Sequence, residues 1–246
     1  MRYDFETLVD RSHCGSGKWD GMKEKNPNVR EGIVPLSVAD MEFKNPPEVV
    51  EGLKAYLDTH ILGYTSPTEE YKAAVCQWMK DQHSWDIQPE WICCTHGVVT
   101  ALFMLVSALT QPGDGVIILT PVYYPFYMAT KANGRKVKGC PLVYRDNTYT
   151  IDFDLLDQIA AEDDSKLMIF CSPHNPVGRV WTPEELKRVA EICQKHGVKV
   201  ISDEIHFDLV MPGHKHTVFS TVAPDPEDII VCTAPSKTFN LAAMQT

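Results

Sequence analysis

Short runs of β-branched and aliphatic residues alternate with longer helical patterns along most of this chain, and this alternation constrains the fold more than any other feature. Strands that alternate with helices form a parallel sheet, because each return connection needs a crossover. The runs are hydrophobic throughout, which suits strands buried on both faces. The predicted fold class is α/β, with an open, mostly parallel, doubly wound sheet. The five predicted strands are residues 91–94, 116–119, 167–170, 198–201 and 229–232.

The segments around these strands also carry readable signals. Thr182 begins a capping box that Glu185 completes, and the helix it starts is predicted to end at His196-Gly197. Residues 1–45 show no periodic pattern and predict an extended N-terminal arm. The remainder, residues 46–246, predicts one large α/β domain.

Composition excludes several classes of protein. A net charge of −10 argues against a nucleic-acid surface, which needs clustered lysine and arginine. The longest apolar stretch, residues 97–110, is too short to span a bilayer, so we expect no membrane role. The eight cysteines are scattered and form no disulfide framework, which predicts a reducing, cytoplasmic setting. Cys93 and Cys94 are predicted to be core residues.

Glycines and polar residues follow the predicted strands, where ligands of open α/β sheets bind. Gly97 ends a turn whose backbone N–H groups favour a phosphate, although most such turns are only tight connections. Tyr123 follows the second strand, where its ring could stack on a planar cofactor or pack in the core. Asn175 lies in a loop with two prolines and Gly178, which either fixes the asparagine rigidly or is a plain turn.

The fourth predicted strand ends in Asp203, a carboxylate that we expect to be buried. A buried carboxylate is costly without a cationic partner, so a protonated pyridine nitrogen, an arginine or a lysine should face it. Nearby acids and histidines also suggest a metal, but their spacing matches no compact metal motif, and we predict none. These residues are Asp203, Glu204, His206, Asp208, His214 and His216.

The fifth predicted strand leads into Ser236-Lys237. A single lysine is usually a solvated surface residue. A lysine at the edge of a sheet, near a cavity, is nevertheless what Schiff-base chemistry requires, because desolvation or nearby cations free such an amine. Lys237 is therefore a candidate nucleophile.

Taken in order, these residues resemble the markers of pyridoxal 5′-phosphate (PLP)-dependent enzymes of aminotransferase fold type I, from Tyr3 to the last residue. The resemblance implies that residues 46–246 form the PLP-binding large domain and that residues 1–45 form an arm or part of a small domain. It also implies that a further strand, a C-terminal small domain and the arginine for the substrate carboxylate lie beyond Thr246. The markers are Gly97-Val98-Val99, Tyr123, Asn175-Pro-x-Gly178, Asp203 and Ser236-Lys237.

The resemblance also implies a role for each marker. Lys237 would carry PLP as an internal aldimine and later move the Cα proton, while Asp203 would pair with the pyridine nitrogen. Asn175 would bond the ring hydroxyl and Tyr123 would stack on the ring. Tyr64 would reach the phosphate of a partner subunit, which implies a homodimer. The phosphate itself would be held by Gly97, Val98, Val99 and Ser236.

Within that fold type the chain is similar to the cystathionine β-lyase branch, which includes MalY-type and PatB-type proteins. His206 favours this branch, because ordinary aminotransferases usually have tyrosine there. The stretches that carry this likeness are Tyr3-Asp4-Phe5, Asp10-Arg11, Lys18-Trp19-Asp20, residues 39–43 and residues 203–208.

The implied reaction is β-elimination of a thiol from an L-cysteine conjugate, which gives pyruvate, ammonia and a thiol such as homocysteine. Two other functions stay open at this point. The chain could belong to an amino-acid aminotransferase, which shares the first half of the reaction. It could also be a non-catalytic regulatory or partner-binding protein with this fold, or an inactive fragment.

Overall fold

The computed structural model describes residues 3–244, which form two compact units. We name them the sheet unit and the arm unit. The sheet unit is Ser66–Ala234, and the arm unit is residues 3–65 together with Pro235–Met244. The predicted division into residues 1–45 and residues 46–246 stays a prediction.

The sheet unit is built on a five-stranded, fully parallel sheet with the order β2-β1-β5-β6-β7. A separate antiparallel hairpin joins β3 to β4. The strands are β1 Gly115–Thr120, β2 Lys136–Pro141, β3 Val143–Arg145, β4 Thr148–Thr150, β5 Ser165–Cys171, β6 Lys199–Asp203 and β7 Ile229–Cys232.

Helices cover both faces of this sheet, so neighbouring residues of one strand belong to different cores. Along β1, Val116 and Ile118 pack in one hydrophobic cluster, whereas Ile117 and Leu119 pack in the other. Because both faces of β1 are buried, its sequence is a continuous hydrophobic run. The helices of the sheet unit are α3 Glu69–His83, α4 Val98–Leu109, α5 Pro125–Ala132, α6 Phe153–Ala160 and α7 Pro183–Lys195, and those of the arm unit are α1 Trp19–Lys25, α2 Pro47–Thr59 and α8 Pro235–Thr238.

Four of the five predicted strands are confirmed, as β1, β5, β6 and β7. The strand predicted at residues 91–94 is wrong: Pro89–Trp91 forms a 3₁₀ turn, and no strand in the described chain pairs with the residues that follow. Cys93 and Cys94 are accordingly exposed, not core residues. An apolar run forms a strand only where a neighbouring strand satisfies its backbone groups.

The predicted helix ends are confirmed at α7. Thr182 accepts a hydrogen bond from the backbone of Glu185, whose side chain accepts one from the backbone of Thr182. The helix ends at Lys195, and Gly197 follows with a φ of 68°. Sequence signals of this kind are local, which explains why they locate a helix end so well.

Within the arm unit, residues 3–45 are irregular except for α1, a helix that no sequence pattern indicated, whereas α2 and α8 lie outside this range. Asp20 in the first turn of α1 accepts backbone hydrogen bonds from His13, Gly15 and Ser16, which fixes the turn before the helix. In residues 3–244, no helix is both long enough and apolar enough to cross a membrane.

Candidate active site

Three polar residues predicted from the sequence lie at the carboxyl edge of the parallel sheet. Tyr123 follows β1, Asn175 follows β5, and Asp203 is the last residue of β6. Backbone hydrogen bonds join these segments: Tyr123 N donates to Asn175 O at 3.0 Å, and Ser172 N donates to Asp203 O at 2.9 Å. The loops after three neighbouring strands are therefore fixed to one another.

Asp203 is a buried carboxylate, with only 4% of its surface exposed. Its Oδ1 accepts a hydrogen bond from Ile205 N at 3.2 Å, and it lies in register with Cys171 on one side and Cys232 on the other. Burial, followed by the charges of Asp203 and Glu204, raises the pKa of the Cys232 thiol to about 12. Asp203 thus lies between two buried thiols.

Tyr123 is half-buried beside this carboxylate. Burial raises the pKa of its phenol most, and the nearby Tyr124 and Asp203 raise it further. The ring of Tyr123 also meets the rings of Tyr124 and Phe126 edge-on, with centroids 5.3 and 6.4 Å apart. Tyr123 therefore packs partly in the core. It also lies close enough to Asp203 for that charge to raise the pKa of its phenol.

The loop that carries Asn175 is held rigidly. His174 N donates to Arg179 O at 2.8 Å, and Gly178 N donates to His174 O at 2.7 Å. The His174 ring is buried, with Nε2 3.0 Å from Pro121 O, and burial lowers its pKa. Asn175 N lies 3.3 Å from the Cys171 sulfur. The sequence left open whether this loop is only a turn, and the structure shows a turn with fixed geometry.

The predicted phosphate turn lies at the start of α4. Gly97 has a φ of 79°, and no side chain caps the helix, so the first-turn N–H groups beginning at Val98 have no intrahelical partner. A Cβ added to Gly97 would meet no atom within 4 Å. Val98 is buried and Val99 is partly exposed. The geometry leaves room for an anion against backbone donors.

Three other candidate residues, Ser236, Lys237 and Tyr64, belong to the arm unit. Ser236 is buried in α8, and its carbonyl accepts a hydrogen bond from Leu241 N. Lys237, also in α8, is half-buried and donates from Nζ to Ala39 O at 3.2 Å. Tyr64 is fully exposed in an irregular segment.

His206 lies half-buried in the turn after β6, and Leu209 N donates to its carbonyl. The acids and histidines around it pair with one another and do not converge on one point: His216 bonds Glu204, Asp208 bonds His83, and His214 is exposed. Among the described residues, no group of three or more suits a metal ion.

A buried polar network around Glu204 was not predicted from the sequence. Glu204 is fully buried, and its carboxylate lies 2.6 Å from His216 Nε2. The same carboxylate accepts hydrogen bonds from Ser202 Oγ at 2.8 Å and from Phe219 N at 3.0 Å. The signal was a second carboxylate directly after a buried strand end, which demands its own partners.

Comparison with known proteins gives this geometry a context. The aminotransferase class I and II family matches residues 31–245. The cystathionine beta-lyase PatB of Bacillus subtilis (strain 168) is 46% identical over 243 residues, covering 98% of this chain and 62% of that protein. Protein MalY of Escherichia coli (strain K12) is 33% identical over 98% of this chain and 61% of its own length.

Solved structures agree with these relatives. Cystalysin from Treponema denticola, which contains a PLP cofactor, superposes with a TM-score of 0.95 at 56% identity, over 100% of this chain and 62% of that one. The PLP-bound C-S lyase from Staphylococcus hominis superposes with a TM-score of 0.93 at 34% identity, again over 100% and 62%. The chain thus spans about three-fifths of the length of these proteins.

Proposed function

This chain belongs to the aminotransferase class I and II family, and on that basis we propose that it forms the cofactor-binding part of a PLP-dependent carbon–sulfur β-lyase. The substrate class is an L-cysteine conjugate such as cystathionine. Cystathionine and water would give homocysteine, pyruvate and ammonia. PatB and the C-S lyase of Staphylococcus hominis support this choice within the family.

The observation that carries the proposal is the burial of Asp203 at the edge of the sheet. A cation beside a buried carboxylate lowers the cost of burying its charge, and the protonated pyridine nitrogen of PLP would be such a cation beside the fixed loops of Tyr123 and Asn175. The open, uncapped start of α4 suits the phosphate. Two chemically different ends of the cofactor therefore find suitable partners in the sheet unit.

In this proposal Asp203 would keep the ring nitrogen protonated, Asn175 would bond the ring hydroxyl, and Tyr123 would cover the ring. Gly97, Val98, Val99 and Ser236 would hold the phosphate, and His206 would complete the cofactor-binding set. Bound PLP supplies an electron sink for the electrons released at Cα.

Lys237 has two tasks in this proposal. It would hold the cofactor through Nζ, and the same atom, when free, would accept the proton from Cα. The thiol would be released together with pyruvate and ammonia, in the balance with water given above. Because Lys237 already contacts a backbone carbonyl of Ala39, its stem is not free to sample all rotamers.

The experiment that tests this function measures product release from L-cystathionine by the purified protein supplied with PLP. Pyruvate formed without an added keto acid supports the lyase. Amino transfer to a keto acid, with no pyruvate from cystathionine, contradicts it and favours the aminotransferase. A protein that does neither but retains PLP and captures a partner belongs to the non-catalytic class.

Replacing Asp203 with asparagine is expected to weaken PLP binding about a hundredfold, since losing one partner of a buried ion pair costs about 3 kcal/mol. The dissociation constant is measured by fluorescence or visible absorbance. Urea unfolding of the variant without PLP measures separately how far Asp203, whose Oδ1 accepts from Ile205 N, stabilises the fold. Asp154→Asn, a change on an exposed side chain, is the matched control. Unchanged affinity in Asp203→Asn would remove the proposed pairing.

We also propose a homodimer in which Tyr64 reaches the phosphate of the partner subunit. Tyr64 lies in a segment whose apolar side chains, Ile61 and Leu62, are strongly exposed, and such surface is typical of an interface. The free cysteines support a reducing, cytoplasmic location.

A further inference from the structure

The segment that carries Lys237 is bonded to a strip of the N-terminal sequence, residues 39–43, within the arm unit. Asn240 accepts a hydrogen bond at Oδ1 from Met41 N at 2.9 Å and donates from Nδ2 to Met41 O at 3.1 Å. One side-chain amide therefore pairs with both backbone groups of Met41. Two residues upstream, Ala39 O receives the hydrogen bond from Lys237 Nζ.

The backbone around Asn240 suits this pairing. Asn240 has a φ of 56°, in the left-handed region that asparagine tolerates better than most residues. Phe239 N donates to Pro235 O at 3.0 Å and Leu241 N to Ser236 O at 2.8 Å, which closes the end of α8. Asn45 adds two hydrogen bonds of 2.9 Å from Nδ2 to the carbonyls of Phe239 and Asn240.

The strip is itself fixed by four charged side chains, Arg11, Lys18, Asp40 and Glu42, which we name the acid–base cluster. Lys18 is 5% exposed, and its Nζ lies 2.6 Å from Asp40 O, 2.8 Å from Glu42 Oε1 and 3.3 Å from Asp40 Oδ1. Arg11 Nη1 lies 2.9 Å from Asp40 Oδ2. The cluster therefore fixes the strip through Asp40 and Glu42, the residues on either side of Met41.

The charges within the cluster support each other. Burial alone would raise the pKa of Asp40, but hydrogen bonds from Arg11 and Lys18 hold it below its ordinary value. Trp19 Nε1 donates to Glu42 Oε1 at 3.2 Å, so the second carboxylate is fixed from another direction. Both carboxylates therefore lie within 3.3 Å of a cationic nitrogen, which favours one arrangement of the strip.

We propose that the strip 39–43, held by the acid–base cluster, is a positioning element for Lys237, and that Asn240 is the residue that registers the lysine segment on it. The inference rests on the proposed function, in which Lys237 is the amine that holds the cofactor. A lysine has a long, flexible stem, and proton transfer needs its amine placed closely. The strip provides that placement before any ligand binds.

The test compares Asn240→Gly with wild type, because glycine can keep the left-handed backbone and removes only the hydrogen bonds of the side-chain amide. The first readout needs no cofactor: the rate at which an amine reagent labels Lys237, by mass spectrometry, relative to the exposed Lys187. Labelling of Lys237 should accelerate about tenfold, the effect of losing one or two hydrogen bonds. Asn147→Gly, a change at another left-handed asparagine, should leave the ratio unchanged.

The second readout uses the protein loaded with PLP. In Asn240→Gly, kcat should fall while KM stays close to wild type, and the pH profile of the visible absorption band should shift. Asn240→Asp keeps the acceptor for Met41 N but loses the donor. Its kcat should lie between those of wild type and Asn240→Gly. Thermal unfolding of each variant shows whether the fold is retained, and the isosteric aspartate decides the case if glycine unfolds the chain.

The outcomes separate this inference from the function on which it rests. Unchanged labelling and kinetics in both variants, with wild-type lyase activity intact, overturn the positioning role and leave the function standing. The absence of a lysine-dependent band in every protein, wild type included, overturns the function and with it any catalytic placement. Faster labelling together with lower kcat supports both.

Discussion

Replacing Lys237 with alanine will abolish the visible absorption band that PLP acquires on attachment to the protein, and with it the release of pyruvate from cystathionine. The proposed function gives this one amine both the attachment and the proton transfer. Loss of a positioned proton-transfer group alone lowers turnover by about 10²- to 10⁴-fold. Loss of attachment comes in addition, so we expect activity below detection.

Two further variants make this prediction specific. Lys237→Arg keeps a cation that can reach the Ala39 carbonyl but cannot form the linkage, so it should behave like alanine in spectra and assays. Lys187→Ala, on the exposed face of α7, should behave like wild type. A full-strength band in Lys237→Ala would show that PLP attaches elsewhere, and partner capture that survives the change would favour the non-catalytic class.

Replacing Glu204 with alanine should lower the free energy of unfolding by about 3–5 kcal/mol, the range for breaking a buried pair by removing one partner. The change leaves His216 Nε2, Ser202 Oγ and Phe219 N without their acceptor in a fully buried position. Each orphaned donor keeps the cost of leaving water. Urea unfolding of the chain measures the effect.

The control for Glu204 is Glu191→Ala on α7. Glu191 is 52% exposed and makes a surface pair with Lys187, so its removal should change the free energy of unfolding by less than about 1 kcal/mol. The double variant Glu204→Met/His216→Leu should recover part of the lost stability, because apolar residues can replace a buried pair. Equal effects of Glu204→Ala and Glu191→Ala would show that the network does not stabilise the fold.

Sequence patterns predicted the sheet where hydrophobicity alone decides it. The runs that became β1, β5 and β6 are buried on both faces, and the run that became β7 is hydrophobic although only partly buried, so composition identifies all four. β2 was missed because Lys136 and Lys138 interrupt it. It is an edge strand, and charged residues are typical of such edges.

The candidate site also contains residues that the sequence could predict and pairs of residues that it could not. Tyr123 and Asn175 follow buried strands and Asp203 ends one, and the geometry of a parallel sheet brings such positions together whatever the loops contain. The pairing of Glu204 with His216, and of Lys18 with Asp40 and Glu42, joins residues 12 to 24 positions apart. No periodic pattern relates them, so only tertiary structure reveals which charges meet.

The hydrogen bonds between the loops of Tyr123 and Asn175 and between Ser172 and the end of β6 have a consequence for the thermodynamics of ligand binding. These loops lose their conformational freedom when the chain folds, so a ligand that meets them need not order them again. Affinity in such a site is not diminished by an entropic cost of rearrangement. The sheet unit is in this sense preorganised, and substitutions that loosen its loops should weaken binding even where they remove no contact to the ligand.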